Sequence, residues 1–185
     1  MDIFDHILSS SILMNNYFMY HLHTELSLLD SCTNYKLYID KAKELGMTAL
    51  CFSEHGNIYN WFEKMQYCEK NGLKYVHGCE VYLTEKLYHE KEEVDKNNNK
   101  IIKTYKERDN YHTVLIAKNI KGFYELNDLL FKSTDNDHTY YKNRISFDEF
   151  LNISDNIIST SACLQSPLNK LNRDNDYYER LIKKY

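Results

Sequence analysis

The chain has no Cys-x-x-Cys pair, and its five cysteines (Cys32, Cys51, Cys68, Cys79 and Cys163) are scattered and odd in number. That excludes a disulfide framework and a structural zinc knuckle, and points to a reducing compartment. No apolar run approaches the roughly 20 residues that a membrane span needs. The start lacks the positive charge of a signal peptide, since Asp2 and Asp5 stand there and serines interrupt its apolar part. A cytoplasmic protein is expected. An excess of positive charge is missing too. The net charge of -4 gives no whole-molecule reason to expect nucleic-acid binding, although a basic groove can sit on an acidic protein. Proline (one) and glycine (five) are scarce while Asn, Lys, Ile and Tyr abound, the usage of a low-GC genome. What is present is ordinary for a globular chain: 43% apolar and 27% charged residues, and at 185 residues enough length for one domain with its own core.

Hydrophobic periodicity gives alternating elements. Residues 1–16 form an extension in which Ile3, Phe4, Ile7, Leu8 and Ser11 have helical spacing. Strands are expected over Tyr17 to His21, Met47 to Ser53, Lys74 to Leu83, His112 to Ala117 and Asn156 to Thr160. Helices are expected over Tyr35 to Leu45 (stopped by Gly46), Asn60 to Asn71 (stopped by Gly72), Ile120 to Lys132, from Leu164 onward, and over Tyr177 to Tyr185. Thr84 to Asn110, with the charge run Glu90 to Lys100, reads as a solvated loop or flexible hairpin, and Ser133 to Asn143 as a second loop. The order predicts an α/β domain of parallel strands with helical crossovers, roughly five βα units.

In such folds functional residues gather at the carboxyl ends of the strands. His21 and His23 follow the first strand, and as residues i and i+2 of an extended segment they face the same way. They could grip one metal ion or be two surface histidines. Asp30 lies seven residues further on. Glu54-His55-Gly56-Asn57 follows the second strand, Glu80 lies in the third, His112 starts the fourth and Cys163 lies beyond the fifth. Nitrogen, oxygen and sulfur donors recurring strand after strand are what a metal centre at the mouth of a barrel would need. Glu80 in a buried strand also needs a partner, because an unpaired buried carboxylate is costly.

His21-Leu-His-Thr-Glu-Leu-Ser-Leu-Leu-Asp30, Ser53-Glu-His55-Gly-Asn57, Gly78-Cys-Glu80-Val-Tyr82 and Tyr111-His112-Thr-Val-Leu-Ile-Ala-Lys118 together resemble the PHP (polymerase and histidinol phosphatase) domain. The version that opens the α subunit of bacterial DNA polymerase III is the most similar, because Lys121 to Leu130, Tyr141 to Phe147 and Ser159 to Leu164 match it in order and spacing. The resemblance covers Tyr17 to Leu171. It implies a distorted (β/α)7 TIM-like barrel over residues 17–185, holding up to three divalent ions, zinc or manganese. His21, His23 and the bridging Glu80 would hold one ion, Glu80 with His112 and Cys163 a second, and Asp30 and His55 would contribute to a third. The chemistry implied is metal-dependent phosphoester hydrolysis, in this branch a 3′–5′ exonuclease acting in DNA replication at a DNA 3′ end.

Two positions depart from the family pattern: Glu54 stands where Asp is common, and Ser31 replaces a frequent Gly. Glu54 and Asn57 are assigned to support the ligands, and Ser27 with Asn57 to orient loops. Cys32, Cys51, Cys68 and Cys79 read as packing residues, Trp61 as core, and His6, His77, His89 and His138 as surface or loop histidines. The family's late Asp-x-His is not found: Asp174 and Asp176 run into Tyr177 and Tyr178, and no His follows. The last barrel strands, and the polymerase palm, fingers and thumb, are also expected to be absent. The chain therefore reads as a PHP fragment whose partner is the remainder of a polymerase III α-type protein or another replisome subunit, as in a split polymerase gene of a phage. The competing readings are a non-catalytic docking module and a small-molecule phosphoesterase of the histidinol-phosphatase type. No membrane partner is expected.

Overall fold

A computed structural model describes residues 17–185. The helix expected within residues 1–16, and His6 with it, lie outside the described residues. Among the described residues no helix is long and apolar enough to cross a membrane.

Residues 17–23 run beside the first strand without forming the strand expected over Tyr17 to His21, since a single bridge joins the two and the chain bends at His21. Met19 bridges Leu50 in parallel, and the Cys51 and Ser53 amides donate to the carbonyls of Met19 and Leu22. Helix α1 (Tyr35–Glu44) starts at Asn34, whose side chain accepts from the Lys36 amide, and buries Tyr35, Ile39 and Ala42. Strand β1 (Ala49–Phe52) and helix α2 (Trp61–Lys70) follow. Strand β2 (Lys74–Thr84) is the longest in the fold. Next come the hairpin β3 (Tyr88–Val94) and β4 (Lys100–Lys106), strand β5 (Tyr111–Ala117) and helix α3 (Ile120–Lys132). The chain closes with β6 (Thr139–Tyr140), β7 (Lys142–Ser146), α4 (Phe147–Leu151), β8 (Ile157–Thr160), α5 (Pro167–Lys170) and α6 (Tyr178–Lys184).

Strand β2 organises the sheet. Along one side it pairs in parallel with β1 from Ala49↔Lys74 to Phe52↔His77, then bridges His55 at Glu80, then pairs in parallel with β7 from Tyr82↔Arg144 to Thr84↔Ser146. Along the other side lies β5, antiparallel from Gly78↔Ile116 to Leu83↔Tyr111, with β8 antiparallel beyond it. The expected succession of parallel βα units is thus replaced by a mixed sheet. The reason is the connection between β2 and β5, which is the β3–β4 hairpin. A parallel return needs a crossover along the sheet. A hairpin brings the chain back at the end it left, so β5 runs the opposite way.

Alternation along β2 separates two faces. Cys79, Val81 and Leu83 enter the larger apolar cluster with Leu115, Leu126, Ile145, Phe147 and Phe150. Glu80 and Tyr82 point to the opposite face. A second cluster holds α1 and α2 against β1 through Ile39, Leu50, Phe52 and Cys68.

Several sequence expectations need correction. Strand β7 was not anticipated, because Lys142-Asn-Arg-Ile-Ser146 reads as polar. Arg144 is nonetheless buried, donating from Nη1 to the carbonyls of Glu107 and Asp109 at the base of the hairpin. His77 is buried, with its ring nitrogens hydrogen-bonded to Tyr75 and Asn127. His138 is buried between Asp135 and Glu149. The sequence places both among surface or loop histidines, and burial corrects that; His89 is half-buried on β3. Trp61 is half-buried against His77 and Phe123 and not enclosed in the core. Cys32 is exposed, so it is not a packing residue.

Two outcomes follow for stability. Gly122 is helical, and in an open helix Gly→Ala stabilises by up to about 1 kcal/mol. Here a Cβ would run into the Asn156 carbonyl and touch Ala117. Gly122→Ala is expected to destabilise by about 1–3 kcal/mol, read as a lower urea midpoint with unchanged slope. The second outcome concerns the pair Glu149 and His138. Burial would raise the Glu149 carboxyl, but Lys132, Ser146 and His138 together bring it down to about 2. Burial would lower His138, but Glu149 and Asp135 hold it above its usual value. Glu149 therefore contributes fully above about pH 4.5 and less as pH falls toward 2, while His138 contributes fully below about 6.5 and less as pH rises through its raised value. Stability from the pair should peak near pH 5–6, and Glu149→Gln should remove about 1–3 kcal/mol there and flatten the acid limb of a melting-temperature profile.

Candidate metal centre

The mixed sheet brings the separate donors to one edge. His21 and His23 leave the extended segment parallel to β1, and His55 leaves β1 itself. Glu80 and Tyr82 are in β2, and the antiparallel β5 sets its first residues, including His112 opposite Tyr82, at the same end. Strand β8 runs antiparallel to β5, so Cys163 beyond its end returns there as well. His21, His23, Asp30, His55, Glu80, His112 and Cys163 line one open cavity of about 410 Å³.

Glu80 is the hub, with 1% of its side chain exposed. Its Oε2 lies 2.8 Å from His21 Nε2, 2.9 Å from His23 Nε2 and 3.7 Å from His55 Nδ1. Its Oε1 lies 2.6 Å from His112 Nδ1. Burial would raise this carboxyl, but hydrogen bonds from His112, His21 and His23, with the charge of His55, hold it far below the usual carboxylate range. Asp30 Oδ2 stands 3.4 Å from His55 Nε2 and 4.0 Å from His23 Nε2. Cys163 Sγ is 3.7 Å from His112 Nδ1 and exposed, at the rim. His55 stacks between His23 and Tyr82, with centroids 4.2 and 5.9 Å away.

These residues fit divalent metal. Three overlapping sets have donor atoms within 4.8 Å of one another: His21, His23 and Glu80; His23, Asp30 and His55; His55, Glu80 and His112. His21 Nε2 and His23 Nε2 are 3.0 Å apart while both aim at the same carboxylate oxygen. Two N–H groups cannot face each other so closely, and a neutral imidazole presents a lone pair on one of its nitrogens. Edges of about 3 Å between donors suit cations bound at about 2.0–2.1 Å. His55 Nδ1 is buried with no hydrogen-bond partner among the described residues, which also leaves a lone pair for a cation.

Behind the donors lies a supporting layer that pattern reading located only in part. Glu54 is buried and not among the converging donors. Its carboxylate accepts from the Thr24 hydroxyl and the Ser27 hydroxyl at 2.5 Å each, from the Thr24 amide at 3.0 Å, and from Lys64 Nζ at 2.7 Å. Burial would raise Glu54, and these bonds bring it below the ordinary value. Ser27 in turn accepts from the His55 amide and lies 3.2 Å from His23 Nδ1, so one buried carboxylate orients both histidine-bearing loops. Asn57 donates to the carbonyls of His55 and Leu26. Gly56 turns the chain at φ 63, and a Cβ there would press on the Tyr82 ring at 3.0 Å. Sequence reading misses Thr24 and Lys64, of which Lys64 is the one with a readable signal. Its signal is a lysine on the inward face of an amphipathic helix, four residues after Asn60 and three before Tyr67.

A family model of the PHP domain matches residues 19–185. The chain belongs to the PHP domain family. Its relatives include the DNA polymerase III subunit alpha of Helicobacter pylori, 31% identical over 159 residues, which cover 84% of this chain and 12% of that protein. The same subunit of Campylobacter jejuni is 32% identical over 170 residues, 92% of this chain and 13% of that protein. This PHP chain therefore spans about an eighth of the length of those relatives. Among solved structures, an amidohydrolase from Chromobacterium violaceum superposes with a TM-score of 0.41 at 16% identity, over 62% of this chain and 32% of that one. At that distance the likeness carries no functional argument.

The support layer of this PHP chain can be tested apart from the donors. Lys64→Met leaves Glu54 as an uncompensated buried charge and should cost about 3–5 kcal/mol in chemical denaturation. Adding Glu54→Gln removes the charge and should recover part of that loss.

Proposed function

We propose that this PHP chain is a metal-dependent phosphodiesterase module of a replicative polymerase of the III α type, hydrolysing DNA from the 3′ end. The observation that carries the reading is Glu80, whose two carboxylate oxygens face different groups of imidazoles. A carboxylate shared in this way suits two neighbouring cations, and paired cations suit displacement at a phosphodiester. We assign His21, His23 and Glu80 to one ion, Glu80, His112 and Cys163 to a second, and Asp30 with His55 to a third. Zinc or manganese matches a set of imidazole, carboxylate and thiolate donors. The polymerase relatives favour DNA over a small phosphomonoester as substrate.

Bound divalent cations would supply Lewis-acid polarisation of the phosphoryl group and a nucleophile at neutral pH. The protein's own groups set the stage. Glu80, kept ionised, places negative charge where cations must gather. Asp30, half exposed at the rim, is free to adjust as substrate enters. Tyr82 and His55 close one wall by stacking, which holds the imidazole plane fixed.

The test is metal content by elemental analysis together with shortening of a 5′-labelled single strand in manganese. At least one equivalent of metal and stepwise 3′ shortening are expected. Glu80→Gln should lose the metal, and His21→Ala should slow shortening by about 10²-fold or more. Metal without DNA shortening, even with the rest of the polymerase present, would make the chain a docking module. Turnover of small phosphomonoesters alone would make it a phosphatase.

A further inference from the structure

A second feature lies between the β3–β4 hairpin and the β6–β7 turn. Lys106 fastens the two together, its Nζ donating to the carbonyls of Asn136 and Thr139, while the Tyr88 hydroxyl donates to Asp137 at 2.8 Å. The cleft so held has a volume of about 400 Å³, and Lys91, Tyr105, Arg108 and Tyr140 are among its walls. Its charge is one-sided. Glu93, the carboxylate in the cleft, is taken up by Lys103 at 2.8 Å and by the Tyr105 hydroxyl at 2.6 Å. Lys91 and Arg108 are exposed and have no carboxylate partner among the described residues.

From this cleft the turn leads to the metal centre. The Tyr140 and Tyr141 rings meet edge to face at 4.7 Å. Tyr141 is 90% exposed and held at φ 58, a conformation that a bulky residue adopts only under constraint. The next residue, Lys142, is exposed and sits over the Tyr82 ring at 5.1 Å. Tyr82 itself packs on His55 and His112. Cations and aromatic rings therefore alternate from the hairpin to the edge of the site.

We infer that this track binds single-stranded nucleic acid, with phosphates on Lys91, Arg108 and Lys142 and unpaired bases stacked on the exposed rings of Tyr105 and Tyr141. A strip of cations on a chain of net charge -4 complements a polyanion locally. Exposed rings beside those cations favour unpaired bases, because a duplex hides the faces they would stack on. Delivery of a strand's end toward Glu80 rests on the phosphodiesterase reading; the binding itself does not.

The experiment is fluorescence anisotropy of a labelled oligo-dT of ~20 nucleotides with the full chain in EDTA, titrated from about 50 mM salt upward. The double variant Lys91→Ala/Arg108→Ala should weaken binding at least about tenfold and make the slope of log K on log salt shallower by about 1.4. Tyr141→Ala should weaken it several-fold with the slope unchanged, and Lys142→Glu should weaken it independently. Lys41→Ala, on the exposed face of α1, should change nothing. The inference falls if the chain does not bind the oligonucleotide at low salt, if the double variant binds like the parent, or if a duplex competes as well as a single strand. Metal and cleavage are read separately. Binding in EDTA with no cleavage in manganese, even with the rest of the polymerase present, sinks the phosphodiesterase reading alone, and cleavage with an unchanged KM in the double variant sinks the track alone.

Discussion

The fold depends on one ionised carboxylate kept inside a sheet. Glu80 sits at the middle of β2, with neighbours paired on both sides: His55 on one and Val114 on the other. Withdrawing such a charge from water costs several kcal/mol unless partners surround it. Here the partners are four imidazoles drawn from three segments remote in sequence. The carboxylate thereby dictates where residues 17–23, the turn after β1 and the start of β5 must lie. Those donors cannot all be satisfied by hydrogen bonds among themselves, so the same arrangement that anchors the chain favours cations. Folding and metal affinity are coupled through this single side chain.

Topology decides why these segments can meet. In a parallel α/β sheet the ligands would come from strand ends alone. The hairpin between β2 and β5 reverses β5, so the beginning of that strand, with His112, lies where β1 and β8 end. The hairpin is therefore part of the site's construction as well as a surface excursion. Its base is tied down by Arg144, a buried cation whose Nη1 donates to the carbonyls of Glu107 and Asp109. Without that anchor the register that sets His112 opposite Tyr82 would lose its outer support.

The donor residues were legible because their chemistry has few other uses: a His-x-His after an apolar run, and a Glu inside a buried strand. Element positions were legible where period and caps agreed, as in α1, α2, β2 and α3. Strand direction was not, because an apolar run has no arrow and a polar hairpin resembles any solvated loop. Strand β7 escaped notice for a related reason. Its inward residue is Arg144, and burial of a guanidinium shows only when the carbonyls that receive it are in place. His77 and His138 were misread in the same way, since a histidine's burial depends on acceptors far away in sequence: Asn127 for one, and Glu149 for the other. The missed Lys64 pairs with Glu54 across a helix and a strand, a contact that no local spacing announces.

The charge distribution in the interior separates two tasks. The larger apolar cluster excludes ions and supplies the bulk of burial. Around the site, by contrast, buried charges are the structural material: Glu80 with its imidazoles, and Glu54 with Lys64, Thr24 and Ser27. Hydrophobic packing would hold this region as firmly, but it could not fix the direction of a ring nitrogen. A carboxylate that accepts at Thr24 and Ser27 places His23 and His55 to within a hydrogen-bond length. The longer reach of glutamate at position 54, compared with aspartate, suits this role, because the same carboxylate must reach Lys64 on α2 as well as the 24–27 turn.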